Sequence, residues 1–387
     1  MKWKNKGKEL EKYGVDVCSA FDAHNGIAIF GAGFIGSRIY RMIRPFKLFS
    51  YFIDNNIEKQ RNGFENEEVL SVENAVKDSL FIIISGTIKN MEEMAEQLVR
   101  YGLQKKKDFI TYDEFEGRWF RVLLFYKYEK LYTNLAQICV TERCTLKCKK
   151  CAHACHLVDI HSDDMSLEDA KKSADSFFKV FDFVGEFVLI GGEPFLYKRL
   201  NEIIAYIGEK YRSKIDLFTI TTNGTIIPSI DTLNVCKQYG VTIRVSDYSD
   251  SLPKLKTQYD RFYKAIDNLE YIVWKTKKDS SWYDYGFFEI NISNSDMIQK
   301  NFDLCGVSCR EISGDKYYYC VMAHTVSKNS KANLGENDYF LIDTTTDKVE
   351  LLEFECGYSK KGYLDMCSRC RGKAASNYLI PAAEQVE

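Results

Sequence analysis

Three cysteines fall within eight residues at Cys144-Thr-Leu-Lys-Cys148-Lys-Lys-Cys151. Thiolates at that spacing can hold three corners of one metal cluster and leave a fourth position open. An open position points to chemistry, because structural metal sites tend to be coordinatively closed. A second group, Cys305-Gly-Val-Ser-Cys309, Cys320 and Cys367-Ser-Arg-Cys370, offers a C-x2-C pair plus earlier cysteines, enough for four sulfur ligands. A third pattern, Gly31-Ala-Gly33-Phe-Ile-Gly36, permits a tight turn, close approach of a pyrophosphate and close helix–strand packing. Asp54, 18 residues past Gly36, stands near where an acid could hold a ribose hydroxyl.

Other reactive residues read as structural. Cys18 and Cys236 are isolated and read as small buried hydrophobes, and Cys139 lies inside a strand pattern. Cys155, His153, His156 and His161 crowd the loop after Cys151. They could ligate a second ion, but are read as packing and polar residues of an extended loop.

The whole chain sets bounds on these sites. Its 387 residues allow two or three domains, and 45% hydrophobic with 28% charged residues describes a globular protein. A net charge of −2 offers no general attraction for nucleic acid or an anionic membrane. The basic start, Met1 to Lys8, leads into a charged helix-like segment, so no signal peptide is read. No apolar run approaches the roughly 18–20 residues that span a bilayer. A cytoplasmic protein is expected, with neither nucleic acid nor membrane as partner. Thirteen cysteines clustered at short spacings then favour metal ligation over disulfides.

Residues 1–125 are expected to form a small α/β domain. Strands are read at Gly26–Phe30, Leu48–Ile53, Leu80–Ile84 and Asp108–Thr111, with helices Ser37–Ile43 and Met91–Tyr101. This module looks like the small Rossmann-like domains fused to glycosyl- and methyltransferases or to sugar-modifying enzymes. That likeness implies a nucleotide or nucleotide-sugar at Gly31, Gly33, Gly36 and Asp54. The alternative is a scaffold whose glycines serve only the turn. Tyr112–Tyr132 reads as a helical linker.

Residues 126–300 alternate strand and helix. Strands are read at Leu135–Val140, Phe187–Ile190, Leu217–Thr221, Val241–Ser246, Tyr271–Thr276 and Phe288–Ile292. The helices between them are Leu167–Phe181, Leu200–Arg212, Thr232–Tyr239 and Leu255–Leu269. Such alternation predicts parallel βα units closing into a partial (β/α)6 TIM-like barrel, with functional groups at the C-terminal ends of the strands. The cysteine run follows the first strand and Gly191-Gly192-Glu193-Pro194 follows the second.

That combination resembles the radical S-adenosylmethionine superfamily. The resemblance implies that Cys144, Cys148 and Cys151 hold a 4Fe–4S cluster whose fourth iron takes the amino and carboxylate groups of S-adenosylmethionine. It further implies that Gly191, Gly192, Glu193 and Pro194 approach the methionine end, and that Asn223 and Ser246, ending the third and fourth strands, reach ribose and carboxylate. Many members carry an aromatic residue before the third cysteine; Lys150 stands there here, which bears only on packing at the adenine side.

Residues 301–387, with a hairpin strand read at Tyr317–Val321, resemble the Twitch form of SPASM-type domains, which carry one auxiliary 4Fe–4S cluster. Cys320, Cys367 and Cys370 match its ligands; Cys305 and Cys309 compete for the fourth place, with Cys356 an outsider. A zinc knuckle is the structural alternative.

The resemblance implies reductive cleavage of S-adenosylmethionine to a 5′-deoxyadenosyl radical, hydrogen abstraction from a substrate, and a flavodoxin- or ferredoxin-type electron donor. Twitch-type relatives include sugar and aminocyclitol dehydrogenases. With the Rossmann-like module they make a sugar, aminocyclitol or nucleotide-linked sugar the expected substrate, and an oxidoreductase or epimerase the expected class. Arg244, Tyr248 and Asp284 are candidate groups for deprotonating a carbinol, though the catalytic residues are not named by the sequence. A peptide-modifying enzyme is the runner-up, and a non-catalytic zinc protein with a nucleotide-sensing module is the third reading.

Overall fold

The computed structural model describes residues 1–2, 8–267, 274–278, 280–307, 309–330 and 338–386. The chain divides into two compact units, residues 5–132 and residues 133–387 joined by 1–4. Unlike the boundaries read at 125 and 300, this division groups the barrel and the second cysteine group in one unit.

In the unit of residues 5–132, β1 (Ile27–Phe30), β2 (Phe49–Ile53), β3 (Val69–Leu70), β4 (Phe81–Ile84) and β5 (Phe109–Thr111) form a sheet of order β3-β2-β1-β4-β5. Each strand pairs in parallel with its neighbour. β1 and β4 are buried at every position, as central parallel strands covered on both faces must be. Helix α1 (Lys8–Asp22) buries Leu10, Gly14, Val17 and Phe21 at helical spacing. Residues 112–128 are helical as expected, but they are core rather than linker. Phe115, Trp119, Phe120, Leu123 and Leu124 are buried, and Trp119 stacks on Phe81 with centroids 4.8 Å apart.

The second unit is built on an eight-stranded sheet. In chain order its first five strands are β6 (Tyr132–Thr141), β7 (Phe183–Gly191), β8 (Ile215–Thr222), β9 (Val241–Asp247) and β10 (Trp274–Lys278). They alternate with α2 (Leu167–Val180), α3 (Leu200–Tyr211), α4 (Ile230–Tyr239) and α5 (Lys256–Asp267). β7 through β10 pair in parallel register. This is an α/β fold with the parallel sheet expected of a partial barrel. Residues 268–273, which hold the end of the expected fourth helix and the start of the expected fifth strand, lie outside the described residues.

A sixth parallel strand comes from elsewhere than expected. Residues 288–292 are not a strand: Asp284 Oδ1 accepts from Gly286 N at 2.8 Å, Gly286 and Phe288 take positive φ, and the chain turns. Past β11 (Ser281–Tyr283), the strand that completes the set is β12 (Arg310–Ser313), parallel to β6 on the far edge of the sheet. Its hairpin partner β13 (Lys316–Tyr318) stops short of Val321, where α6 (Val321–Asn329) begins. β14 (Tyr339–Leu341) adds the eighth strand, and β15 (Leu379–Pro381) pairs antiparallel with β11.

Arg310 anchors the added edge. Its guanidinium is 3% exposed, lies 3.1 Å from Glu355 Oε2 and covers the Tyr319 ring at 3.7 Å. Glu355, on α7 (Lys348–Glu355), also accepts from Tyr317 Oη at 2.8 Å and from Thr133 Oγ1 at 2.7 Å. One carboxylate therefore joins the start of β6, the hairpin and a helix, and the buried charge is paired and hydrogen-bonded as burial requires.

Candidate metal centre and cofactor cavity

The cysteine loop leaves β6 at Thr141 and is held by the turn after β7. Gly192 N donates to Thr141 O and Glu193 N to Arg143 O, each at 2.9 Å. A Cβ at Gly191 would stand 1.9 Å from Thr141 O; one at Gly192 would stand 2.3 Å from Arg143 O and 2.8 Å from Cys144 Cβ. The two glycines are thus required by the approach of the cysteine loop itself. Arg143 fixes the loop's far side, with Nε and Nη2 on the two oxygens of Asp164 at 2.7 and 2.6 Å and Nη2 on Leu196 O at 2.8 Å.

Glu193 is fully buried and its carboxylate is met by the chain. It accepts from Phe195 N at 3.1 Å, Thr222 Oγ1 at 2.8 Å and Asn223 N at 2.9 Å. Burial pushes its carboxyl up to about 7 despite these donors. Neither Glu193 nor Pro194 lines the cavity described next; they brace the turn against the end of β8. Asn223 does line it, with Nδ2 3.5 Å from Cys144 Sγ and 3.1 Å from Thr145 Oγ1.

Cys144, Cys148 and Cys151 share a cavity of about 560 Å³ with Gly191, Gly192, Asn223 and Ser246. Its outer wall is aromatic: Tyr248, Trp282, Tyr283 and Tyr285, with Tyr248 and Trp282 edge to face at 5.4 Å. Burial pushes the Cys144 and Cys148 thiols up to about 12. A hydrogen bond with Cys155 pulls Cys151 down and pushes Cys155 up. Tyr259 ties the rim together, its hydroxyl lying 3.0 Å from Asn223 O, 3.1 Å from Ser246 O and 3.0 Å from Tyr248 N. Nothing in the local sequence marked Tyr259 or Trp282, because each acts across elements distant in the chain.

The set fits an iron–sulfur cluster with an organic cofactor beside it. Three thiols from one loop face one cavity, and the backbone beside them has no room for side chains. Among the described residues no three His, Cys, Asp or Glu side chains converge tightly enough for a single metal ion. A four-iron cluster spreads its thiolates more widely than one ion does.

In the second cysteine group, Cys309, Cys320 and Cys370 pack against one buried cluster that includes Val321 and Met322. Cys305, Cys320, Cys367 and Cys370 line one tight apolar pocket with Phe302, Leu364 and Met366. Cys309 is not among its lining; the charges that act on its thiol are Arg310, Glu186, Arg244 and Glu311. Cys356 is buried near the end of α7 and also lies outside this lining. Asp338, 1% exposed, orders the turn that leads into Cys367 by accepting from Asp365 N and from Met366 N, the latter at 3.1 Å.

In the unit of residues 5–132, Gly31, Gly33, Gly36 and Asp54 line a cavity of about 930 Å³ with Lys59, Ser85 and Thr87. A Cβ at Gly36 would stand 2.0 Å from Gly31 O, whereas one at Gly33 would meet nothing within 4 Å. Gly36 therefore serves packing and Gly33 leaves the backbone open to the cavity. Asp54 Oδ2 accepts from Ala32 N at 2.9 Å and from Lys59 Nζ at 3.0 Å.

Residues 138–272 match the family described as the Radical SAM superfamily. A GTP 3′,8-cyclase from Rhizobium leguminosarum bv. trifolii (strain WSM2304) is 30% identical over 135 residues. The match covers 35% of this chain and 38% of that relative, so the chain spans well under half of the relative's length. Among solved structures, BtrN in complex with AdoMet and 2-DOIA is similar over 66% of this chain and 98% of its own, at 17% identity and a TM-score of 0.40. anSMEcpe with bound AdoMet and Cp18Cys peptide is similar over 61% and 83%, at 11% identity and a TM-score of 0.40. Streptococcus suis SuiB bound to precursor peptide SuiA is similar over 63% and 47%, at 15% identity and a TM-score of 0.30. Among the described residues no helix is long and apolar enough to cross a membrane.

Proposed function

We propose, for a chain that carries a radical SAM domain over residues 138–272, an enzyme that oxidises or epimerises a small sugar-like substrate and carries a second, auxiliary cluster. The observation that carries the reading is the meeting of Cys144, Cys148 and Cys151 in one cavity beside Gly191 and Gly192. When bound there, a 4Fe–4S cluster and S-adenosylmethionine supply one-electron cleavage of the sulfonium and a carbon radical able to abstract hydrogen.

The chain's own part is to hold, orient and enclose. Cys144, Cys148 and Cys151 are the ligands, and Gly191 and Gly192 leave room for the loop that presents them. Asn223 and Ser246 face the cavity from the ends of β8 and β9, where they would hydrogen-bond a polar cofactor. Tyr248, Trp282, Tyr283 and Tyr285 exclude water and offer flat faces to the C–H side of a small ring, holding it near the reacting carbon. Cys305, Cys320, Cys367 and Cys370 would hold the auxiliary cluster, and their shared pocket favours Cys305 over Cys309. A flavodoxin- or ferredoxin-type protein would supply the electron.

The cavity around Gly31, Gly33 and Gly36 would take a nucleotide or nucleotide-linked sugar, with its phosphates over Gly33. Asp54 already receives Ala32 N and Lys59, so its ribose contact would be added to an existing brace. Equilibrium dialysis with nucleotides and nucleotide-sugars tests this, and no binding at millimolar ligand would rule it out.

Anaerobic reconstitution tests the main reading. Two clusters give roughly eight irons per chain, with dithionite-dependent formation of 5′-deoxyadenosine. Alanine at Cys144, Cys148 and Cys151 should abolish that product and leave about half the iron. Stoichiometric zinc with no cofactor cleavage would sink the proposal. Deuterium transfer from labelled substrates into 5′-deoxyadenosine then separates sugars from peptides.

A further inference from the structure

Gln385 stands 237 positions from Cys148 in the chain, yet its Nε2 lies 3.3 Å from the Cys148 sulfur. Two further bonds fix which way the amide points. Its Oε1 accepts from Lys147 N at 2.8 Å and its Nε2 donates to Ala383 O at 2.5 Å. A backbone N–H can be met only by the amide oxygen, and a carbonyl only by the amide nitrogen, so the amide cannot be turned over. The remaining N–H of Nε2 is the one that faces sulfur.

The backbone around Gln385 is seated as firmly. Lys149 N donates to Glu384 O at 2.8 Å and Val386 N to Lys147 O at 2.7 Å, so residues 384–386 meet the cysteine loop in a single antiparallel bridge between Gln385 and Cys148. Ala383 is fully buried among Cys144, Leu146, Cys148 and Cys155. Upstream, β15 is paired to β11, which carries Trp282 of the cavity wall. The Lys149–Glu384 ion pair at 2.9 Å is exposed and adds little. The seat rests on backbone bonds and on burial of Ala383.

We propose that Gln385 is a positioning residue of the Cys144–Cys151 site. Its N–H···S bond stabilises negative charge on the Cys148 sulfur and so raises the reduction potential of a cluster held there, while segment 382–386 covers the loop from solvent. The inference rests on reading the three cysteines as cluster ligands. A hydrogen bond to a ligand sulfur favours the more negative, reduced cluster, and such bonds are among the levers that set cluster potentials.

The experiment is a redox titration of the reconstituted protein, following the reduced-cluster EPR signal in wild type, Gln385→Leu, Gln385→Glu and Glu384→Gln. Leucine removes the donor and should shift the potential down. Glutamate keeps an acceptor for Lys147 N but turns an oxygen toward sulfur, and should shift it further. Glu384→Gln should leave the potential unchanged. Equal potentials in wild type and both Gln385 variants overturn the proposal.

Alkylation of Cys148 in the metal-free protein, read by mass spectrometry, gives a measurement that needs no cluster. It should run several-fold faster in Ala383→Glu, whose side chain does not fit the buried seat among Cys144, Leu146, Cys148 and Cys155, and an unchanged rate overturns the covering role. A wild-type protein that never yields an iron–sulfur signal would instead sink the cluster reading, leaving the alkylation result to stand on its own.

Discussion

Lys150 and Arg371 grip one carboxylate between them: Asp284 Oδ2 lies 3.1 Å from Lys150 Nζ and 3.2 Å from Arg371 Nη1. Lys150 is the residue before Cys151 and Arg371 the residue after Cys370, so the contact links the two cysteine groups. Glu289 pairs with both cations as well, and Asp284 is only 13% exposed. Burial raises the Asp284 carboxyl, but the Gly286 N–H, Lys150 and Arg371 outweigh it and hold it below the usual carboxylate range. That makes Asp284 a poor proton acceptor. Arg244 is likewise paired with Glu186.

Asp284→Asn leaves Lys150 and Arg371 facing each other with half their counter-charge removed. The expected cost is about 1–3 kcal/mol in urea denaturation, with Cys151 and Cys370 of the metal-free protein both alkylated faster. If neither cysteine changes rate, the bridge does not couple the two groups.

Gly192→Ala forces a Cβ toward Arg143 O and Cys144 Cβ, both within 2.8 Å of its ideal place. The loop backbone must move, so reconstituted iron should fall by about half and 5′-deoxyadenosine formation by roughly 100-fold or more. Full iron content with normal cleavage would show that the loop does not need this close approach.

Arg310→Met leaves Glu355 buried without its cation. Breaking such a pair from one side costs about 3–5 kcal/mol. A double variant, Arg310→Met with Glu355→Leu, should recover part of the loss, because no charge is then stranded. Denaturant midpoints decide the matter, and a neutral single variant would contradict the burial described.

Glu193 gives a pH signature. Its carboxyl, raised to about 7 from an ordinary 4.5, keeps its proton in the folded chain over a range where the unfolded chain has released it. The contribution to stability is therefore fully present below pH 4.5 and is lost as pH rises through 7, on the order of 3 kcal/mol in all. Stability of the metal-free protein, measured from pH 4.5 to 7.5, should fall less steeply in Glu193→Gln. Parallel curves for the two proteins would exclude the assignment.

The legible parts of this molecule are those written within a few residues. Cys144 to Cys151, Gly31 to Gly36 and Gly191 to Pro194 announce their turns locally, and the alternating apolar runs gave β6 to β9 and their helices to within a few residues. What stayed hidden needs distant partners. β12 meets β6 with Gln137 and Glu311, 174 positions apart, bonded side chain to side chain. Its short Arg-Glu-Ile-Ser sequence has no pattern of its own. At 288–292 the apolar run suggested a strand, and the turn at Asp284 and Gly286 overrode it. The partners of Glu193, Thr222 and Asn223, are likewise about thirty positions away and could not be read from its own turn.

The pairing of residues 384–386 with 147–149 also sets an order on biosynthesis. A ribosome that has released Cys144, Cys148 and Cys151 must add more than two hundred residues before Gln385, 237 positions on from Cys148, emerges. Until then the loop lacks the segment that covers it, and Cys148 lacks the Gln385 donor. The finished site is therefore made after translation has passed residue 386, and iron delivered to the nascent chain would meet an open, unshielded loop.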